Sequence, residues 1–324
     1  MRLRLPWHWF RKRAPVAAPP PPILATAEVL ERQSPDHAAV RGAELLETNC
    51  VETSELGELA KLPPFRPVVI SLLRLFDRSD VDLEEVCGLV EADPSLASEI
   101  LAVVNSPLFA VGQRVSQPSH AIALLGAERT KSLAATLAMR SLMAGGPRTP
   151  IVRRFWTHSL ATATIARHLA PAFQIAPEHS HVAALLHDLG RNALLAAYPE
   201  RYATLSCAAY ENTAEILQAE MAEFGMTHCH AGTLLARAWK LPSIFMEVAG
   251  RHHENSFDIA LLSLVQLSCR LADDFMYQAI GRRDTGKPPE TIDEHGPQAL
   301  RGALAGRLDS MAEAIEIAIR ALDF

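Results

Sequence analysis

SHVAALLHDLGRNALLAAYP, residues 180–199, decides the reading of this chain. Its apolar residues recur at three- and four-residue spacing, the period of a helix with a buried face. At the end of an apolar helical run stands His187-Asp188, closed by Gly190. Burying a carboxylate costs on the order of several kcal/mol unless a cation or hydrogen-bond donors compensate, and a metal ion would do so. Other histidines fall at intervals that put them on separate helices: His158, His228 and the pair His252-His253. Imidazole nitrogens with a carboxylate suit Zn, Mn or Fe, and a metal-bound water of lowered pKa is a common hydrolytic nucleophile. Adjacent helical residues point about 100° apart, so one of His252 and His253 is expected to face a given site. His120, His168, His179 and His181 read as surface or hydrogen-bonded core residues, and Cys229 as a small buried one.

The same period extends outward from Val68 with little strand-like alternation, which predicts an all-α protein. Asp82 with Glu85 reads as a capping box, and Asp93-Pro94 ends one helix and opens the next. Gly126 separates SHAIALL from AERTKSLAATLAMRSLM, and Gly145-Gly-Pro147 closes the block. These breaks give a first helical lobe over 55–150, a second over 151–280 that carries the histidines, a polar link over 281–296 and a terminal helix over 297–324. Residues 1–54 are expected to be a flexible tail with weak helical character. Its opening MRLRLPWHWFRKR joins basic and aromatic residues before the polyproline spacer APVAAPPPP. Residues 2–13 could touch an anionic membrane surface weakly.

Composition narrows the function. With 31 basic against 37 acidic residues the net charge is −6, so nucleic acid is not an expected partner. No stretch is long and free enough of charge to span a bilayer. The five cysteines are odd in number and lack a C-x-x-C pair, which fits a reducing cytoplasm and neither a disulfide framework nor a zinc knuckle.

LPPFRPVVISLLRLFD, LVEADPSLASEILAVVNSPLF and AIALLGAERTKSL in the first lobe are followed by FWTHSLATA, ALLHDLG, GMTHCHAGTLLARAWKLP and RHH in the second. In this order they resemble the HDOD family, the HD-related output domain. The resemblance implies a two-lobed helical fold with an HD-type bundle as second lobe, a signalling role, and descent from metal-dependent phosphohydrolases related to the HD-GYP phosphodiesterases. It matches His158, His187 and Asp188 to the first three ligands of the hydrolase pattern, and His228, His252 and His253 to the extra histidines of the HD-GYP type. Where that pattern has a final Asp, VQLSCRLADD places Cys269, a soft thiol that favours Zn if it binds at all. Asp273 stands one turn on, roughly 6 Å along the axis. The GYP signature is missing, and Arg191 takes a place where relatives often carry Lys, as a candidate phosphate contact. The expectation is therefore a non-catalytic regulatory module without a cofactor, acting through a signalling protein partner or a ligand. The alternative is a Zn, Mn or Fe phosphohydrolase acting on a nucleotide or cyclic dinucleotide.

Overall fold

The computed structural model describes residues 57–106, 109, 112–144, 149–254, 259–280 and 308–322. The tail 1–54, the link 281–296 and the first part of the expected terminal helix lie outside them. A first group of helices runs α1 (Pro67–Arg74), α2 (Leu83–Glu91), α3 (Pro94–Val104), α4 (Pro118–Leu125) and α5 (Ala127–Ala144). A second runs α6 (Pro150–Leu169), α7 (Pro177–Leu186), α8 (Leu189–Ala197), α9 (Pro199–Cys207), α10 (Thr213–Phe224), α11 (His228–Ala238), α12 (Ser243–Arg251) and α13 (Ala260–Asp274). α14 (Leu308–Leu322) follows, and no strand occurs among the described residues. The fold is all-α, as the periodicity predicts.

Proline and polar caps set the starts. α1, α3, α4, α6, α7 and α9 each begin on Pro, whose fixed φ suits a first helical turn and whose missing N–H would have had no helical partner there. Asp93, Thr149, Asn212 and Thr227 each accept the N–H three residues on. Asp82 caps α2 through Glu84 N, but Glu85 pairs with Arg78 at 2.7 Å instead of closing a reciprocal box. Gly126 ends α4 with φ 77°, a conformation that disfavours a side chain.

The described residues all fall within one compact unit, and the two helical groups share their core. Phe65 stacks on Trp239 at 5.0 Å, and Phe76 meets Phe245 edge-on at 6.3 Å. The buried Lys131 ammonium lies 4.3 Å from the centre of the Phe76 ring, donates to Leu75 O and pairs with Glu128. α6 is the spine, packed against α7, α13 and α14. α14 buries Met311, Ile315 and Leu322, each worth about 1.5–3 kcal/mol when taken out of water. Two polar contacts fix its register: Trp156 Nε1 donates to Leu322 O at 3.2 Å and Tyr277 Oη to Glu316 Oε1 at 2.8 Å. No helix among the described residues is long and apolar enough to cross a membrane.

Candidate metal centre

His187 and Asp188 sit at a break between two helices rather than within one. α7 ends at Leu186, His187 caps it, and Asp188 (φ −95°, ψ 24°) precedes α8. The break turns both side chains into the bundle, where they are 1% and 2% exposed. Gly190 does not close a helix as the sequence suggested. It lies in the first turn of α8, where an added Cβ would stand 1.9 Å from His228 O and 2.3 Å from Gly232 N. Only a residue without a side chain lets α11 pass this close and bring His228 to Asp188.

Six further side chains converge there, from α6 (His158), α8 (Arg191), the start of α11 (His228), the end of α12 (His252, His253) and α13 (Cys269). Four imidazoles are oriented from behind. His158 Nδ1 lies 2.7 Å from Tyr277 O, His187 Nδ1 2.6 Å from Ala184 O, His228 Nδ1 2.7 Å from Glu220 Oε2 and His252 Nδ1 3.1 Å from Ala249 O. Carbonyls and a carboxylate only accept, so each Nδ1 is assigned the proton and each Nε2 keeps a lone pair. Those lone pairs face one another around Asp188. His158 Nε2 and His187 Nε2 are 3.3 Å apart and lie 3.7 and 3.6 Å from Asp188 Oδ2. His228 Nε2 and His252 Nε2 are 3.4 Å apart and lie 3.6 and 3.3 Å from Asp188 Oδ1. Cys269 Sγ stands 3.6 Å from His158 Nε2.

The atoms form two ligand sets, His158, His187 and Cys269 on one side and Asp188, His228, His252 and His253 on the other, and Asp188 Oδ2 also lies 3.7 and 3.6 Å from the Nε2 atoms of His158 and His187. Facing lone pairs repel unless a cation lies between them. Zinc bond lengths put the N···N edge of a tetrahedron at about 3.3 Å and its N···S edge at about 3.6 Å. His158 makes one edge of each kind in the first set, 3.3 Å to His187 and 3.6 Å to Cys269, so these donors fit a divalent ion, which would supply Lewis acidity if held by His158, His187, Asp188 and Cys269. In the second set Arg191 intervenes. Its Nη1 donates to Asp188 Oδ2 at 2.8 Å and its Nη2 to His228 Nε2 at 3.1 Å.

Charge follows from this packing. Burial works to raise the Asp188 carboxyl, but Arg191 foremost among its neighbours holds it well below the ordinary range. Burial drives the His187 and His253 imidazoles well below theirs and lowers His228 as well, so all three are neutral near pH 7. Burial also pushes the Cys229 thiol up to about 12, in keeping with a packing residue. Asp188 Oδ1 and His253 Nε2 are buried without a hydrogen bond.

Three placements depart from sequence reasoning. His252 and His253 both reach the second set, because α12 ends at Arg251 and the pair lies in the turn beyond it, where the 100° rule of a helix no longer applies. Asp273 comes within 3.7 Å of His158, but at Nδ1, on the side away from the ligand atoms. Arg191, 5% exposed, is engaged by Asp188 and His228 rather than displayed to a phosphate. His120 is exposed, His168 bonds Thr164 O in its own helix, His179 stacks on Phe76 and His181 meets Thr136.

Sequence reasoning missed the supports of the site. Glu220, wholly buried, accepts from the His228 backbone N–H, from His228 Nδ1 and from Tyr202 Oη. Burial works to raise its carboxyl, and His228, Arg191 and the Tyr202 hydroxyl outweigh that and hold it at about 2. A signal existed: Glu220 stands four residues after Ile216 on the apolar face of α10, where a carboxylate needs a partner.

Comparison with known proteins agrees with this fold. A Treponema pallidum (strain Nichols) protein of uncharacterised function is 26% identical over 212 residues, 64% of this chain, and the match spans 40% of that protein's length. An HDOD domain protein of unknown function from Geobacter sulfurreducens superposes with a TM-score of 0.68 at 22% identity, covering 86% of this chain and all of that one. A protein from Marinobacter aquaeolei VT8 ascribed to signal transduction gives 0.64 at 16% identity, covering 86% of this chain and 66% of that one. One from Shewanella amazonensis SB2B ascribed to phosphohydrolases gives 0.57 at 20%, covering 82% and 97%. At these identities the structures speak for the fold alone. The HDOD domain family model matches residues 62–255, more than half of the sequence and every candidate ligand except Cys269, and the chain belongs to the HDOD family.

Proposed function

We propose that this chain is a regulatory signalling module whose HD-type centre is sealed rather than open to substrate. One observation carries the reading. His158, His187, Asp188, Arg191, His228 and His252 are all at most 5% exposed, and the guanidinium suited to a phosphate is already engaged by Asp188 and His228. A nucleotide or cyclic dinucleotide needs its phosphate beside the ion and a water in line with the breaking bond, and side chains this buried offer room for neither. The role is exercised on a protein partner rather than on nucleic acid, since a net charge of −6 gives no general attraction to a phosphate backbone.

The test is turnover. Purified protein, supplied in turn with Zn, Mn and Fe, is incubated with a chromogenic phosphodiester and with cyclic dinucleotides. We expect no hydrolysis above that of the Asp188→Asn variant. Metal-dependent turnover that disappears in Asp188→Asn would make the chain a phosphohydrolase.

A further inference from the structure

The two ligand sets around Asp188 are alike in their edges and unlike in charge. The first contains Cys269, whose thiol becomes an anion when it binds a metal, and has Asp188 Oδ2 3.7 and 3.6 Å from its two Nε2 atoms. Among the described residues the second has Asp188 as its one acid, because Glu220 lies behind His228 at Nδ1 and already accepts three donors. Arg191 adds a fixed positive charge to that second set, with Nη2 3.1 Å from His228 Nε2, the lone pair that an ion would need. Nη1 meanwhile reaches Asp188 Oδ2, an oxygen with enough lone pairs to accept this bond and still face the first set. The surroundings are buried, so water screens little of the repulsion between a guanidinium and a divalent ion.

We propose that Arg191 is a built-in replacement for a second cation. The chain then holds one zinc-type divalent ion between His158, His187, Asp188 and Cys269, and is closed to another between Asp188, His228, His252 and His253. Asp188 Oδ2 accepts from the guanidinium and is also the oxygen nearest His158 and His187, so it would be shared by Arg191 and the ion. Asp188 Oδ1, 3.6 Å from His228 Nε2 and 3.3 Å from His252 Nε2, and His253 Nε2 are buried without a hydrogen-bond partner, which agrees with this. They are the acceptors left over when a guanidinium, which reaches only some of the ligand atoms, stands where a cation could reach all of them. The inference deepens the proposed function, resting on a centre that binds without turning over. Its readout is a metal count, so a phosphodiesterase activity would overturn the function and leave the count untouched.

The experiment uses the full chain, stripped with a chelator, reloaded with excess Zn2+ or Co2+ and desalted. Metal per chain is measured by mass spectrometry, and Co2+ spectra report thiolate ligation. Wild type is expected to hold one ion and to show a thiolate-to-cobalt charge-transfer band, which Cys269→Ala loses. His187→Ala should fall to zero, whereas His228→Ala should keep its ion. Arg191→Met, similar in volume and uncharged, should rise from one ion to two. If Arg191→Met does not fold, as judged by circular dichroism, the contrast between His187→Ala and His228→Ala still decides the first set, and the wild-type count at excess metal decides the closure of the second. Two ions or none in wild type, loss of the ion in His228→Ala with retention in His187→Ala, or a folded Arg191→Met that stays at one ion would each overturn the proposal.

Discussion

Gly190→Ala is the smallest change that tests how the site is assembled. The new Cβ would lie 1.9 Å from His228 O, 2.3 Å from Gly232 N and 2.9 Å from Gly232 Cα, all of them backbone atoms that no rotamer change can move. Ordinary contact needs roughly 1.5 Å more than the shortest of these allows, so α8 and α11 must separate by about that distance. Overpacking that displaces backbone costs more than the usual 1–3 kcal/mol, and we expect about 4 kcal/mol, or about 10 °C in melting temperature for a unit of this size. Because His228 is the first residue of α11, the separation also pulls it from Asp188. The assay is thermal unfolding followed by far-UV circular dichroism. Gly88→Ala serves as the control: Gly88 lies on the exposed face of α2 with nothing within 4 Å of an added Cβ. The same chemical change there should stabilise by about 0.5–1 kcal/mol through helix propensity. A Gly190→Ala protein melting within about 2 °C of wild type would refute the close-approach argument, since that corresponds to less than about 1 kcal/mol.

Three further outcomes follow from the packing. Glu220 is held at about 2 against an ordinary 4.5, so the stability it contributes is present above pH 4.5 and lost as pH falls toward 2. That amounts to about 3 kcal/mol, and Glu220→Gln should flatten this limb of a pH series of urea midpoints; an unchanged limb would mean that Glu220 is not the group responsible. His187→Ala in metal-stripped protein should cost about 1–3 kcal/mol by chemical denaturation, and the gap to wild type should widen when Zn2+ is added, because binding to the folded state stabilises it. A gap unchanged by Zn2+ would contradict binding through His187. Removal of residues 308–324 uncovers Trp156 and Tyr277, whose partners Leu322 and Glu316 are lost; we expect a melting temperature lower by several degrees, and an unaltered one would show that α14 adds nothing to the fold.

The sequence by itself determined the helical class and several of the helix limits. Spacing of apolar residues and the local stereochemistry of Pro, Asp and Gly act within a few residues, which is why the starts at Pro94 and Pro118 and the break at Gly126 are legible in it. It also named His158, His187, Asp188, His228, His252, His253 and Cys269 as candidates. Only the tertiary structure decided how they meet. Their division into two sets, the partners that fix each imidazole, the engagement of Arg191 with Asp188 and His228, and the role of Glu220 depend on contacts between residues far apart in the chain. Gly190 shows the limit most plainly. In sequence a glycine after an apolar run reads as a stop, and only the passage of α11 across α8 reveals it as the gap through which His228 reaches Asp188. Local spacing carries no information about such approaches, because the distance between two helices is set by the side chains of both.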